Sequence, residues 1–246
     1  MTMAHEVRRV MGTAVTVTVP TDRHDVVGPA FELLEWVDRT FSVYRTDSEI
    51  SRIGAGTLPR SDAHPLVQRV LDVCGELEEA TSGWFKPRAP GRDRPLDPSA
   101  YVKGWAVDLV VDDLIAAKID TAYVEAGGDA AVIGVRPDGN PWRVGIRNPD
   151  GQSIAAVVEI VDAAIASSGT YERGEHIWGR SGARYLSVSV VGPSLGTADA
   201  LATAIFADGG SDLSWLENFG LYGHLMITAD SMMQVSPGME RRLVTS

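Results

Sequence analysis

The chain has one cysteine, Cys74, in 246 residues, so no intrachain disulfide can form and the fold must stand on packing and hydrogen bonds. It also lacks an apolar run of the ~18 residues a membrane-spanning helix needs. Its first segment, MTMAHEVRRVMGTAVTVTVP, contains neither an apolar stretch of secretory length nor a lipid-acceptor cysteine. A cytoplasmic location without membrane insertion is the expectation. Positive charge is scarce: 22 Lys and Arg against 33 Asp and Glu leave a formal net charge of -11. That balance argues against nucleic acid as a partner, but not against a small anion held locally beside a bound cation. The five histidines (His5, His24, His64, His176 and His224) form no pair at helical spacing, which argues against zinc.

What is present suits a soluble globular protein with a sizeable core: 44% hydrophobic and 22% charged residues. Alternation in AVTVTVP (14–20) reads as a strand. Phe31, Leu34, Val37 and Phe41 mark a helix over 25–40, and LVQRVLDVCGELEEA a second over 65–81, with Cys74 as a small buried apolar residue. SGWFKPRAPGRDRPLDP (82–98) is a long irregular connection of the kind that often carries function.

From Ser99 the pattern is helical again, with Val102, Ala106, Leu109, Val110 and Leu114 on one stripe and Asp97 or Ser99 as cap. TAYVEAGGDAAVIGVRP gives strand, glycine turn, strand; PWRVGIRNP, AAVVEIVDAAIASSG and RYLSVSVVG add strands. TADALATAIFADG and DLSWLENFG are short helices, and HLMITAD is a last strand before a C-terminal tail. Strands and helices mix without regular alternation, so an α+β fold of largely antiparallel sheets with packed helices is expected. It should form one compact unit across 1–246, with room for two lobes.

Lys103 is an oddity. It lies about one turn into its helix, where the positive end of the helix dipole disfavours a cation, so something negative should stand nearby. Without such a partner it would cost a few tenths of a kcal/mol, and Lys103→Ala would leave stability unchanged or improved.

Four further places can carry chemistry. Asp199 and Thr203 are four apart on one helix face, an oxygen-rich corner suited to magnesium; on spacing alone a dipole contact for Asp199 and simple packing for Thr203 is the commoner reading. Gly127 and Gly128 admit a ligand close to the backbone or make a plain turn. In ASSGTYERGEHIWG (166–179), Ser168, Tyr171 and His176 are available to a ligand, with His176 suited to proton transfer or to a structural role. Tyr44 in FSVYRTDSEISRI can stack on an aromatic ligand, and Ser48 with Glu49 can cap the turn that follows.

Taken in order, MGT (11–13), FSVYRTDSEISRI, DPSAYVKGWAVD, VEAGGDAAVIG, WRVGIRNP, ASSGTYERGEHI and TADALATA resemble the ApbE family, the FAD:protein FMN transferases. The resemblance implies a T-fold-like flavin transferase domain that uses magnesium, with manganese as a substitute, to cleave the pyrophosphate of FAD. FMN would pass to a Ser or Thr hydroxyl of an acceptor protein, leaving AMP. A FAD pyrophosphatase and a non-catalytic FAD-binding protein are the alternatives. Carried over by position, Asp199, Thr203, Ala202 and the carbonyl of Ala100 would surround the metal. Met11, Tyr44, Asp97, Lys103, Gly127, Gly128, Asp129, His176 and Ile177 would line the FAD cleft. His176 or Asp199 would take the proton of the incoming hydroxyl. The chain departs from the family at FKPR (85–88), where Lys86 replaces the usual acid, and at WGRSG after Ile177.

Overall fold

The computed structural model describes residues 2–88, 96–150, 152–169 and 185–244. A first hairpin, β1 (Met3–Val10) and β2 (Thr13–Pro20), is followed by α1 (Val27–Phe41), α2 (Glu49–Gly54), α3 (Pro65–Ala80) and the long α4 (Ser99–Ala116). A second hairpin, β3 (Ala122–Ala126) and β4 (Asp129–Ile133), leads to a third made of β5 (Trp142–Arg147) and β6 (Ile154–Ile160). Then come β7 (Ala163–Gly169), β8 (Tyr185–Gly192), α5 (Leu195–Asp208), β9 (Gly223–Thr228), β10 (Met233–Val235) and the short α6 (Pro237–Glu240).

Eight of these strands form one sheet in the order β1-β2-β3-β4-β7-β8-β9-β10, with every neighbouring pair antiparallel. The expected α+β architecture of antiparallel strands and packed helices is what the chain adopts. Period-two side-chain alternation assigns each strand's residues to one of two cores. Ala131, Ile133, Ala164, Ala166, Val188, Val190 and Met226 face the helices. Ala130, Val132, Ala163, Ile165, Val191, Leu225 and Ile227 face the β5–β6 hairpin and Met239 of α6. Strands covered on both faces read as continuous apolar runs such as the AAVI of β4, which with Asp129 before it is buried throughout. By contrast β2 keeps a partly open face and shows clean alternation.

On the helix side, α5 packs against β7, β8 and α4, and α1 packs outside α4. The stripe expected on α4 is in place: Val102, Ala106, Val110 and Leu114 are buried, and Leu109 packs partly buried against the same core. Tyr101, Gly104 and Val107 are buried as well, because α4 has neighbours on several sides. α5 is apolar almost all round, as a helix enclosed by a sheet and a second helix must be.

Two strands lie outside the expected set. β1 is an edge strand with Glu6 and Arg8 paired on its surface, Val7 exposed and only Val10 buried, so neither face is apolar enough to show an alternation. β10, three residues long, comes from the segment read as a tail, which also binds back through Val244 N–H to the Val157 carbonyl (2.9 Å). Among the described residues no helix is long and apolar enough to cross a membrane.

Candidate functional site

Two tight turns meet at one end of the sheet. Met11 and Gly12 connect β1 to β2 with φ of +53° and +73°, and Gly127 and Gly128 connect β3 to β4 with φ of +62° and +95°. Both are two-residue hairpin loops of the kind whose twist matches that of the strands. The Gly127 N–H donates to the Ala14 carbonyl at 3.1 Å, and a Cβ at Gly127 would lie 2.7 Å from Thr13 Oγ1. A glycine is therefore required there by both φ and close approach. Met11, a non-glycine residue in the left-handed region, holds a conformation that costs about 1–2 kcal/mol.

The turn ends on Asp129, whose carboxylate lies on the helix side of the sheet, 1% exposed. Its Oδ1 accepts the Ser167 N–H at 2.9 Å, and its Oδ2 accepts from the Lys103 ammonium. The same ammonium lies 3.0 Å from Asp199 Oδ2. Here is the negative partner that the position of Lys103 called for, and there are two of them. The lysine is thus not an isolated cation but the centre of a buried Asp–Lys–Asp clamp that joins the sheet to α4 and α5. Removing one member of a buried ion pair typically destabilises by about 3–5 kcal/mol, so the expectation for Lys103→Ala reverses.

Asp199 lies in the second turn of α5, whose start is capped elsewhere: Ser194 Oγ accepts the Thr197 N–H. One turn further, Thr203 Oγ1 is 3.3 Å from Ser168 Oγ on β7. Asp199 therefore faces Lys103 rather than serving as a cap, with the Thr203 hydroxyl one turn along the same helix and the Ser168 hydroxyl beside it from β7. All donors in this corner are hard oxygens, which suit magnesium or manganese by chemistry. Among the described residues no three His, Cys, Asp or Glu side chains gather as a metal cluster, the third charged group here being an ammonium.

The crossing of α4 and α5 sets this geometry. A Cβ on Gly104, the residue after Lys103, would stand 2.5 Å from both the carbonyl carbon and oxygen of Leu195. Asp108, one turn on, accepts three bonds from the start of α5: Ser194 Oγ at 2.8 Å, Leu195 N–H at 2.7 Å and Gly196 N–H at 2.8 Å. Burial pushes its carboxyl above the usual range, against the lowering effect of these bonds. Asp108 was not among the residues singled out from the sequence. Its only signal there is an acid four residues after a glycine, in a row that continues to the acid Asp112.

Other expected residues are placed as follows. Asp97 Oδ1 accepts the Ser99 N–H at 3.0 Å and so caps α4 from just outside it. Its own N–H donates to the Pro87 carbonyl at 2.7 Å, which brings FKPR to the start of α4, with Lys86 exposed. Ala100 is half-buried in the first turn of α4, and Ala202 is buried in α5, where its methyl group offers no ligand atom. Tyr44 is 93% exposed, on the loop that leaves α1 where the Phe41 ring packs edge-on to Trp105 of α4. Ser48 caps α2, while the Glu49 carboxylate reaches the His64 N–H instead. Tyr171, His176 and Ile177 lie outside the described residues.

The family model of the ApbE family matches residues 11–90 and 87–222. The chain belongs to the ApbE family. A FAD:protein FMN transferase of Vibrio cholerae is 39% identical, over 72% of this chain and 71% of that protein. One from Rhodobacter capsulatus is 32% identical over 75% of this chain, which spans only 37% of its length. Among solved structures, the flavin transferase ApbE from Vibrio cholerae superimposes with a TM-score of 0.83 at 27% identity, over 98% of this chain and 99% of that one. The ApbE protein of Thermotoga maritima shares the fold at a TM-score of 0.87 and 20% identity, over 99% and 100%. These likenesses place the Asp–Lys–Asp clamp within an ApbE fold.

Proposed function

We propose that this ApbE-family chain is a magnesium-dependent FAD:protein FMN transferase, with residues 1–246 acting as one flavin transferase unit. The observation that carries the reading is the clamp itself: Lys103 held between Asp129 and Asp199, beside the hydroxyls of Thr203 and Ser168. Phosphoryl transfer depends mainly on positioning and on neutralising charge over the phosphate oxygens. Asp199 and Thr203, with the backbone at Ala100 and Ala202, would hold the divalent ion, which when bound neutralises negative charge on the pyrophosphate. Lys103 and the first turn of α4 provide donors to the same anion. Met11, Gly127, Gly128 and Asp129 would line the flavin-nucleotide cleft together with Asp97 and Tyr44, and the family resemblance adds His176 and Ile177 to that set.

In the reaction, the Ser or Thr oxygen of the acceptor forms a bond to the FMN phosphorus as the bond from that phosphorus to the bridging oxygen breaks. AMP leaves with the bridging oxygen, and the hydroxyl proton passes to His176 or Asp199. Incubation with FAD, magnesium and a Ser/Thr acceptor protein, followed by separation of AMP, FMN and flavin bound to protein, tests the reading. AMP release that depends on acceptor, with flavin covalently on the acceptor, is the expected result. AMP and free FMN without acceptor identify a pyrophosphatase instead, and intact FAD retained on the protein identifies a binding protein. Asp199→Ala should lower turnover by about 100-fold or more while leaving the fold in place.

A further inference from the structure

On the helix face of β7 the side chains run Ala164, Ala166, Ser168: two methyls and then a hydroxyl. That hydroxyl is not at the surface, since Ser168 is 7% exposed. A buried hydroxyl left unpaired costs about 1–3 kcal/mol, and among the described residues its one hydrogen-bond partner is Thr203 Oγ1 of α5, at 3.3 Å. Ordinary O–H···O bonds are about 2.7–2.8 Å. The two hydroxyls thus share a loose contact in which either can donate. The strand holds Ser168 in place. Ser168 pairs with Val188 of β8, and Ser167 before it gives its N–H to Asp129 Oδ1. The Ser167 side chain points to the opposite face, where it meets Ser189 Oγ at 2.7 Å. Two successive residues of one strand therefore touch the Asp129 end and the Thr203 end of the site.

We propose that Ser168 is a positioning residue for the divalent ion: its Oγ takes the proton of the Thr203 hydroxyl and so leaves a Thr203 lone pair for the ion. The inference rests on the proposed metal site at Asp199 and Thr203. A hydroxyl carries one proton and two lone pairs. A cation attracts the lone pairs and repels the proton, so a ligating hydroxyl needs an acceptor for its proton elsewhere. Groups behind metal ligands fix ligand orientation in this way, and losing one typically weakens metal binding by about 10–100-fold. Ser168 Oγ is the acceptor already in place beside Thr203. With alanine at 168, the Thr203 proton would turn to a carbonyl of its own helix, which draws the hydroxyl into the α5 backbone. Alanine would continue the Ala164–Ala166 row and satisfy the packing of β7 on α5. The hydroxyl is what the ion needs.

The test is a titration of Mn2+ in the presence of FAD, followed by the loss of the free-ion electron paramagnetic resonance signal, the flavin checked afterwards for integrity. Ser168→Ala should bind Mn2+ about ten-fold or more weakly than the wild type, and Ser168→Thr, which restores a hydroxyl, should return to within about three-fold of it. Ser189→Ala is the control, because it removes a buried hydroxyl from the opposite face of the sheet. Its Mn2+ affinity should stay within about two-fold of the wild type, since Ser189 touches no proposed ligand. Ser168→Cys, whose thiol is a weak acceptor, replaces the alanine variant if that one fails to fold. A folded Ser168→Ala or Ser168→Cys that binds Mn2+ as the wild type does reduces the Ser168–Thr203 contact to a fastening of sheet to helix, and overturns the inference alone. So does a loss that Ser168→Thr does not recover, or one that Ser189→Ala shares. No Mn2+ binding to the wild type overturns the metal site, and the inference with it.

Discussion

The Asp108 carboxylate of α4 accepts the Gly196 N–H of α5 at 2.8 Å, across 88 residues of sequence. With the bonds from Leu195 N–H and Ser194 Oγ, it makes one helix the cap of another. The helix that carries Lys103 is thereby fastened to the helix that carries Asp199 and Thr203. Asp108→Ala leaves those donors without their acceptor and should destabilise the protein by about 2–4 kcal/mol. Asp108→Asn, which keeps the shape but has one accepting oxygen, should lose less. Urea unfolding of the three proteins measures the order, and equal midpoints would show that the helices are held by packing alone.

Gly104→Ala is a second probe of the same crossing. Alanine is the better helix former by about 1 kcal/mol, and an exposed site would gain from it. Here the added methyl meets Leu195 backbone at 2.5 Å, and backbone cannot swing aside as a side chain can. Overpacking of this kind costs about 1–3 kcal/mol, so a net loss of stability is expected. Turnover of FAD should fall further than stability does, since the helices that part carry Lys103 and Asp199. Thermal unfolding and AMP release on one preparation read both.

Lys103→Ala should lower stability in the absence of any ligand, by about 3–5 kcal/mol if both acids stay charged and buried. Chemical denaturation of the apo protein measures it. An unchanged or raised midpoint would mean that the clamp contributes nothing and that the helix-dipole conflict dominates.

His224 provides a pH dependence away from the site. Burial lowers its imidazole below the usual value of 6.5. The unfolded chain then takes up a proton at higher pH than the folded one, so below about 6.5 the unfolded state binds more protons. Its contribution to stability is intact above the unfolded value and is lost as pH falls towards the lowered folded value. His224→Gln should therefore shrink the drop in unfolding midpoint between pH 7.5 and pH 5.5. The same drop in both proteins would assign it to other groups.

Much of the site was legible along the chain because its pieces are local. A glycine pair between apolar strands, a carboxylate and hydroxyl four apart, and a lysine one turn into a helix each carry their own stereochemistry. Edge strands were less legible. β1 hides its period beneath Glu6, Arg8 and the exposed Val7, and β10 has only three residues in which to show one. Asp108 was invisible for another reason. An acid on a helix reads as surface until the neighbouring helix end that needs it is known.

The sequence by itself determined the α+β class, the helices that bear Lys103 and Asp199, the Gly127–Gly128 turn, and that Lys103 needed a negative partner. These follow from side-chain periodicity, backbone stereochemistry and the helix dipole, all of which act within a few residues. Only the tertiary structure decided which partner. Asp129 is 26 residues from Lys103, and Asp199 lies on another helix. They meet because β3 pairs antiparallel with β4 and because Gly104 lets α5 approach α4 within backbone contact. Electrostatic pairing over such separations depends on distance in space, and packing alone sets that distance.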